Sequence, residues 1–147
     1  MPIDPAAERR CLASFAKQQA MTTIGASVTG VDAGYCEITM PFKPEFTQQH
    51  GFIHAGITAM LADTACGFAA LSLMPEDAAV LTTEFKLNLL APAKGERLIA
   101  TGRVVRPGKK LMVCLGEVFA EDGAKRRQVA LMTASMMVVD TTTGLRD

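Results

Sequence analysis

Formal charge is almost missing from the middle of this 147-residue chain: between Glu45 and Glu76 the only charged side chain is Asp63. Net charge is missing as well, 15 Lys and Arg standing against 15 Asp and Glu. That balance excludes a general nucleic-acid binder, which would present a basic face. Arg103, Arg106, Lys109, Lys110, Lys125, Arg126 and Arg127 do gather late in the chain, a grouping near two turns that suits a small anionic ligand better than a polymer. Cys11, Cys36, Cys66 and Cys114 include no C-x-x-C pair. A zinc or dithiol site is therefore not expected, and the cysteines read as buried, reduced thiols. No metal site is foreseen. The N-terminus, Met1-Pro2-Ile3-Asp4-Pro5, lacks a basic stretch followed by an apolar one, so no signal peptide is read and a cytoplasmic protein is expected. Repeats, linkers and low-complexity tracts are absent too, and 49% hydrophobic content suits one core, hence one domain over residues 1–147.

What is present is a run from Ile53 to Leu71 of Ala, Leu, Ile, Met, Gly and Phe interrupted by Asp63, with both histidines, His50 and His54, near its start. An Asp in the middle of a membrane span costs about 2.5–3.5 kcal/mol on insertion scales. No Lys or Arg immediately flanks the run, so a membrane helix is excluded as well. In water, a carboxylate among apolar neighbours loses hydration unless it is paired or protonated. Chemistry at Asp63 would account for its presence.

Asp4 to Gln19 reads as a short amphipathic helix, capped by Asp4 with Pro5 in its first position. Ile24–Val31 and Tyr35–Pro41 read as strands around an Asp32-Ala33-Gly34 turn, and Phe42–Gly51 as a loop. The long helix then presents Ile57, Leu61, Thr64, Phe68 and Leu71 as a stripe to press on a sheet, and Gly56, Ala59, Asp63, Gly67 and Ala70 on another face. Four strands follow without a second helix, an antiparallel pattern: Val80–Leu90, Arg97–Arg106, Leu111–Ala120 and Gln128–Asp140. In the first of them Leu81, Phe85, Leu87 and Leu89 are expected on the core face and Thr82, Glu84, Lys86 and Asn88 on the polar one. Thr141–Asp147 is expected to fray.

Two strands, one buried helix and four strands make an α+β chain that resembles the hotdog fold. In that fold a curved antiparallel sheet, here of five to six strands, wraps around one long central helix, with a short N-terminal helix added in this chain. The resemblance covers residues 24–139. His54-Ala55-Gly56 followed by Leu61-Ala62-Asp63 is similar to the H-G-G-x-x-x-x-L-x-D signature of the PaaI-like acyl-CoA thioesterases, relatives of the phenylacetate-degradation enzyme. Lys86–Lys94 also resembles the strand and turn that follow in that family. Two residues depart from the pattern: Ala55 stands for the first Gly, and Gln48 for a frequent Asn.

The resemblance implies an acyl-CoA thioesterase, with coenzyme A as part of the substrate and no separate cofactor. The residues fit thioester hydrolysis on their own terms. Asp63 can serve as general base or nucleophile, and the free N–H groups of Ala55 and Gly56 at the helix start can meet an oxyanion. Ala55 and Asp63 are separated by about 12 Å of helix, too far for both to touch one thioester within one chain. A homodimer, further paired into a dimer of dimers, is expected, and the family implies the same sharing of residues between two chains. By resemblance Gln48 joins the donors with His54 orienting their loop, and Thr82 assists the acid. Arg106, Lys109 and Lys110 are candidates for the CoA phosphates, with Lys125–Arg127 as the alternative place, and Phe46, Met60 and Phe68 for the acyl pocket. A non-catalytic acyl-CoA binder and a hotdog hydratase or dehydratase are the alternatives, although the loop signature the latter would need is not found.

Overall fold

The computed structural model describes residues 1–147, the side chain of Thr141 excepted. Helix α1 (Pro5–Ala16) starts where the Asp4 carboxylate accepts the Ala6 and Ala7 N–H groups at 2.8 and 3.3 Å, with Pro5 in the first turn. Proline is favoured there because that N–H has no partner within the helix anyway. The sequence reading misses a second helix, α2 (Gln19–Ile24). Met21 and Ile24, three residues apart, both turn into the core. Gly25, at φ 75°, ends the helix in the left-handed conformation that glycine adopts without steric cost. Ile24 thus closes a helix rather than opening a strand.

Six strands form one antiparallel sheet: β1 (Ser27–Asp32), β2 (Tyr35–Pro41), β3 (Ala79–Leu89), β4 (Arg97–Arg106), β5 (Leu111–Asp122) and β6 (Lys125–Val139). Their spatial order is β1-β2-β4-β5-β6-β3, so β3 forms one edge. Across one face lies α3 (Ala55–Leu71), with Leu61, Thr64, Phe68 and Leu71 of the stripe buried and Ile57, in its first turn, half-buried. Cys11, Cys36, Cys66 and Cys114 are all free and buried. Burial raises the Cys11 thiol to about 11 and the Cys36 thiol to about 12, so both stay protonated and inert at neutral pH.

Both ends of α3 are held. The Arg10 guanidinium donates to the Leu71 and Met74 carbonyls at 2.6 and 3.0 Å, satisfying groups that a helix C-terminus leaves open. The Ser72 hydroxyl donates to the Ala69 carbonyl and accepts the Gly34 N–H at 2.8 Å, tying that end to the β1–β2 turn. The tail does not fray at its end: the Asp147 carboxylate accepts the Val80 N–H at 2.7 Å and the Ser14 hydroxyl at 3.2 Å.

The middle of α3 lies so close to the sheet that Gly102 has no room for a Cβ and Gly116 has little. A Cβ at Gly102 of β4 would fall 2.3 Å from the Ala65 carbonyl, a backbone contact with no room to yield. One at Gly116 of β5 would meet the Cys66 sulfur at 3.0 Å and the Met132 Cβ at 3.3 Å.

A second departure from the sequence reading lies in β3. Its register against β6 shifts between Thr82 and Glu84, a β-bulge that changes which residues face α3. Leu81 pairs with Met137, both largely exposed, whereas Thr82 pairs with the buried Met136 and turns toward the helix. Leu81 is therefore not a core residue. Phe85, Leu87 and Leu89, paired with buried β6 positions beyond the bulge, keep the helix-side orientation, but at this edge of the sheet only Leu87 is half-buried, and Phe85 and Leu89 are as exposed as Leu81.

Gly102→Ala should lower the free energy of unfolding by about 1–3 kcal/mol or more, the cost of overpacking against a fixed backbone. Gly116→Ala, whose obstacle includes a side-chain sulfur, should cost less. Urea denaturation of both variants reads the difference, and equal small losses would mean that α3 is not seated as described.

Candidate functional site

His54 sets the start of α3. Its backbone is extended (φ −58°, ψ 138°), and its Nδ1 accepts the Gly56 N–H at 2.9 Å. An accepting Nδ1 places the proton of the neutral ring on Nε2. This corrects one expectation, because Gly56 does not offer a free donor. The His54 carbonyl takes the Ile57 and Thr58 N–H groups, and the Phe46 carbonyl takes the His54 N–H. The Ala55 N–H, by contrast, has no acceptor among the described residues. No non-glycine residue described has a positive φ, so alanine in place of the family's first Gly is unstrained and the donor is kept.

Ala55 itself lines a cleft of about 490 Å³ whose walls also include Gln48, Phe52, His54, Thr58 and Leu89. The Gln48 side-chain Oε1 accepts the His50 N–H, and its backbone carbonyl accepts the Gly51 N–H at 2.9 Å, which folds the loop back on itself at the cleft wall. Thr58, which the sequence did not single out, is buried on the same wall, and its hydroxyl has no partner among the described residues.

Asp63 does not line this cleft. It sits two turns along α3, partly buried, with the Thr82 hydroxyl donating to its Oδ1 at 2.7 Å. Desolvation by the surrounding apolar groups raises its pKa above the 3.8 of an unperturbed aspartate, and the Thr82 hydrogen bond opposes that rise. The other carboxylate oxygen, Oδ2, accepts no hydrogen bond among the described residues. The β3 bulge makes the contact possible: without it Thr82 would face away from α3.

The remaining candidates separate. Met60 and Phe46 are half-buried against the core. Phe68 is a core residue with its ring 5.6 Å from Phe15 in an edge-to-face pair, which removes it from any acyl pocket on the open face of α3. Arg106, Lys109 and Lys110 are exposed around the β4–β5 turn, the Lys110 carbonyl accepting the Val138 N–H. That turn borders the Leu81 end of the sheet, whereas the cleft lies at the Leu89 end. The structure does not bring these three cations to the cleft of their own chain.

One long helix laid on a six-stranded antiparallel sheet in this order defines a hotdog protein. Residues 50–126 match the family model described as Thioesterase superfamily. The match spans more than half of the chain, and the chain belongs to that family. A crystal structure of a thioesterase family protein from Silicibacter pomeroyi superposes with a TM-score of 0.90 at 45% identity, covering 91% of this chain and 98% of that one. The E. coli PaaI protein from the phenylacetic acid degradation operon shares the fold, with a TM-score of 0.82 at 23% identity and coverage of 91% and 94%. A Halobacterium salinarum protein, an esterase by name, is 35% identical over 98 residues, and the match spans 63% of this chain and 64% of that protein's length.

The Thr82 bond to Asp63 carries a pH prediction. It favours the ionised carboxylate, so Thr82→Val should raise the Asp63 pKa further and move the acid limb of the pH–rate profile to higher pH. A pH–rate series on both proteins checks this, and an unmoved limb would detach Thr82 from the titrating group. Stability carries the complementary sign. The raised pKa means that the folded chain holds this proton more tightly than the unfolded one, so the associated stability is present below the unfolded value and is lost as pH rises through the folded one. The melting temperature of Asp63→Asn relative to wild type should therefore rise as pH is raised above the unperturbed aspartate value of 3.8.

Proposed function

We propose that this protein hydrolyses acyl-CoA thioesters at a site shared between two copies of itself. The Ala55 N–H of one chain meets the developing oxyanion, and Asp63 of the other supplies the carboxylate. The observation that carries the reading is the Asp63 carboxylate: desolvated, oriented by the Thr82 hydroxyl at 2.7 Å, and with a second oxygen left to act. Such an acid stays basic enough near neutral pH to take a proton from water or to attack a carbonyl directly.

Catalysis also needs a donor where negative charge develops, and the Ala55 N–H at the positive end of α3 is one. The two groups lie about 12 Å apart along the helix. A second chain would close this gap. β3 is an edge strand whose outer side carries no ladder partner, with Leu81, Phe85 and Leu89 about half exposed. Such an edge invites a partner strand. Two β3 edges pairing antiparallel about a two-fold axis near Phe85 would set the Thr82 end of one chain beside the Leu89 end of the other. Asp63 of one chain would then face the cleft of its partner, twice per dimer. The apolar walls of the cleft suit an acyl chain, and the polar groups at the α3 start suit the thioester carbonyl.

Asp63→Asn keeps size and hydrogen bonding but removes basicity. It should cut kcat by about 10²–10⁴-fold with the circular dichroism spectrum unchanged. Near-normal hydrolysis by this variant would make Asp63 a structural acid. On the donor side, Ala55→Pro deletes the N–H at a position where proline is well tolerated, and the extended His54 backbone before it already has the conformation proline demands. Its kcat should fall by about 10²–10³-fold with little loss of stability, the usual consequence of removing one oxyanion donor.

A further inference from the structure

A second cavity of about 590 Å³ adjoins the α3 cleft and shares Phe52 and Pro92 with it as a common wall. Its other walls carry Lys94, Asp122, Lys125, Arg126 and Arg127. Strand register divides these cations. Ala120, buried on the helix side of β5, pairs with Arg127, and Asp122 pairs with Lys125, whereas Glu121 pairs with Arg126. Paired residues share a face, so Lys125 and Arg127 stand on the α3 side of the sheet and Arg126 on the opposite side. There Arg126 is engaged, 3.6 Å from the Glu121 carboxylate and 4.3 Å over the Phe119 ring.

Lys94, Lys125 and Arg127 form no ion pair among the described residues. Three exposed cations face one carboxylate, Asp122, around a cavity that opens onto the cleft. The loop bearing Lys94 is fixed against the end of β5: the Glu96 N–H donates to the Glu121 carbonyl at 2.8 Å, and a Cβ at Gly95 would fall 2.5 Å from that oxygen. Lys94 is thereby held beside the β5–β6 hairpin. From Val129 at the cleft to Lys125 is roughly 13 Å along β6, a span that an extended pantetheine arm bridges.

We infer that Lys94, Lys125 and Arg127 are the mouth that binds the diphosphate and ribose 3′-phosphate of coenzyme A, the pantetheine arm passing Phe52 and Pro92 to bring its thioester to Ala55. The inference rests on the acyl-CoA reading above; the partner's β4–β5 turn, which the two-fold β3 pairing would bring toward the cleft, is the competing mouth that the test below separates from this one. Cations on a concave wall suit a small polyanion, and their freedom from carboxylate partners leaves their charge for the ligand.

The test compares wild type with the triple variant Lys94→Gln, Lys125→Gln, Arg127→Gln, on one acyl group presented both as its CoA thioester and as its N-acetylcysteamine thioester, which has no phosphates. Free CoA is titrated as an inhibitor of both proteins. The KM for acyl-CoA and the inhibition constant for CoA should rise about tenfold or more, with kcat within about twofold and a flatter salt dependence. Kinetics on the phosphate-free thioester should differ little between the two proteins. An unchanged KM in the triple variant, or a rise found only when Arg106, Lys109 and Lys110 are replaced, overturns the inference. So does a wild-type preference for an acyl carrier protein over acyl-CoA that the triple variant abolishes. Hydrolysis of both thioesters with equal KM by the wild type would sink the phosphate mouth and spare the hydrolase reading. Hydrolysis of neither would sink the hydrolase reading, and the CoA titration, followed then by calorimetry, would still decide whether these cations hold the nucleotide.

Discussion

The position of every group in the site follows from how closely α3 approaches the sheet. At Gly102 the helix backbone sits where a Cβ would have to be, and at Gly116 the Cys66 sulfur of the helix would lie 3.0 Å from one. That approach fixes the height of α3 above the strands, and its two ends fix its direction, through Arg10 on the C-terminal carbonyls and His54 at the N-terminal cap. With height and direction set, Asp63 can meet the Thr82 hydroxyl, and Ala55 takes its place in the cleft wall with its N–H unpaired. Loosening the helix by an ångström would break a 2.7 Å hydrogen bond before it cost much burial.

Polar groups in this site are kept apart by the same constraint. A carboxylate partly stripped of water and a backbone N–H left without an acceptor are each unfavourable in the free chain. Both lie on the open face of α3, one toward each end of β3, and the edge between them carries Phe85 with half its surface exposed. Exposed apolar surface and unsatisfied polar groups along one edge are what a second copy of the chain would cover. This is the physical argument for a shared site, and it does not depend on resemblance.

Much of this was legible in the sequence. The stripe Leu61, Thr64, Phe68 and Leu71 marked the buried side of α3, and an isolated acid in an apolar helix marked Asp63. Tyr35–Pro41 and Arg97–Arg106 announced themselves as strands by their turn residues and hydrophobic patterning. What was not legible depended on geometry without a local signature. α2 is too short for a period to show, and only the burial of Met21 and Ile24 reveals it. The β3 bulge sits in a stretch that alternates smoothly on paper, so Leu81 read as core and Thr82 as polar surface. His54 could be seen near the helix start, but not that its ring would cap Gly56 and leave Ala55 as the free donor. Lys125–Arg127 stands in the sequence as the second choice after Arg106, Lys109 and Lys110, but that Lys94 joins Lys125 and Arg127 is visible only once β5 and β6 pair and the Lys94 loop docks on them.

The central claim is that neither chain alone contains both halves of the catalytic site. It is tested most directly by mixing two inactive proteins, Asp63→Asn and Ala55→Pro, after reversible dissociation and reassembly. Half of the reassorted dimers contain one chain of each kind, and each of these has one site with an intact acid from one chain and an intact donor from the other. Recovery to about one quarter of wild-type activity is the predicted result for a randomly paired two-fold dimer. No recovery, with dimers of mixed composition demonstrated by mass spectrometry, would contradict it and place the donor and the acid of each working site on the same chain.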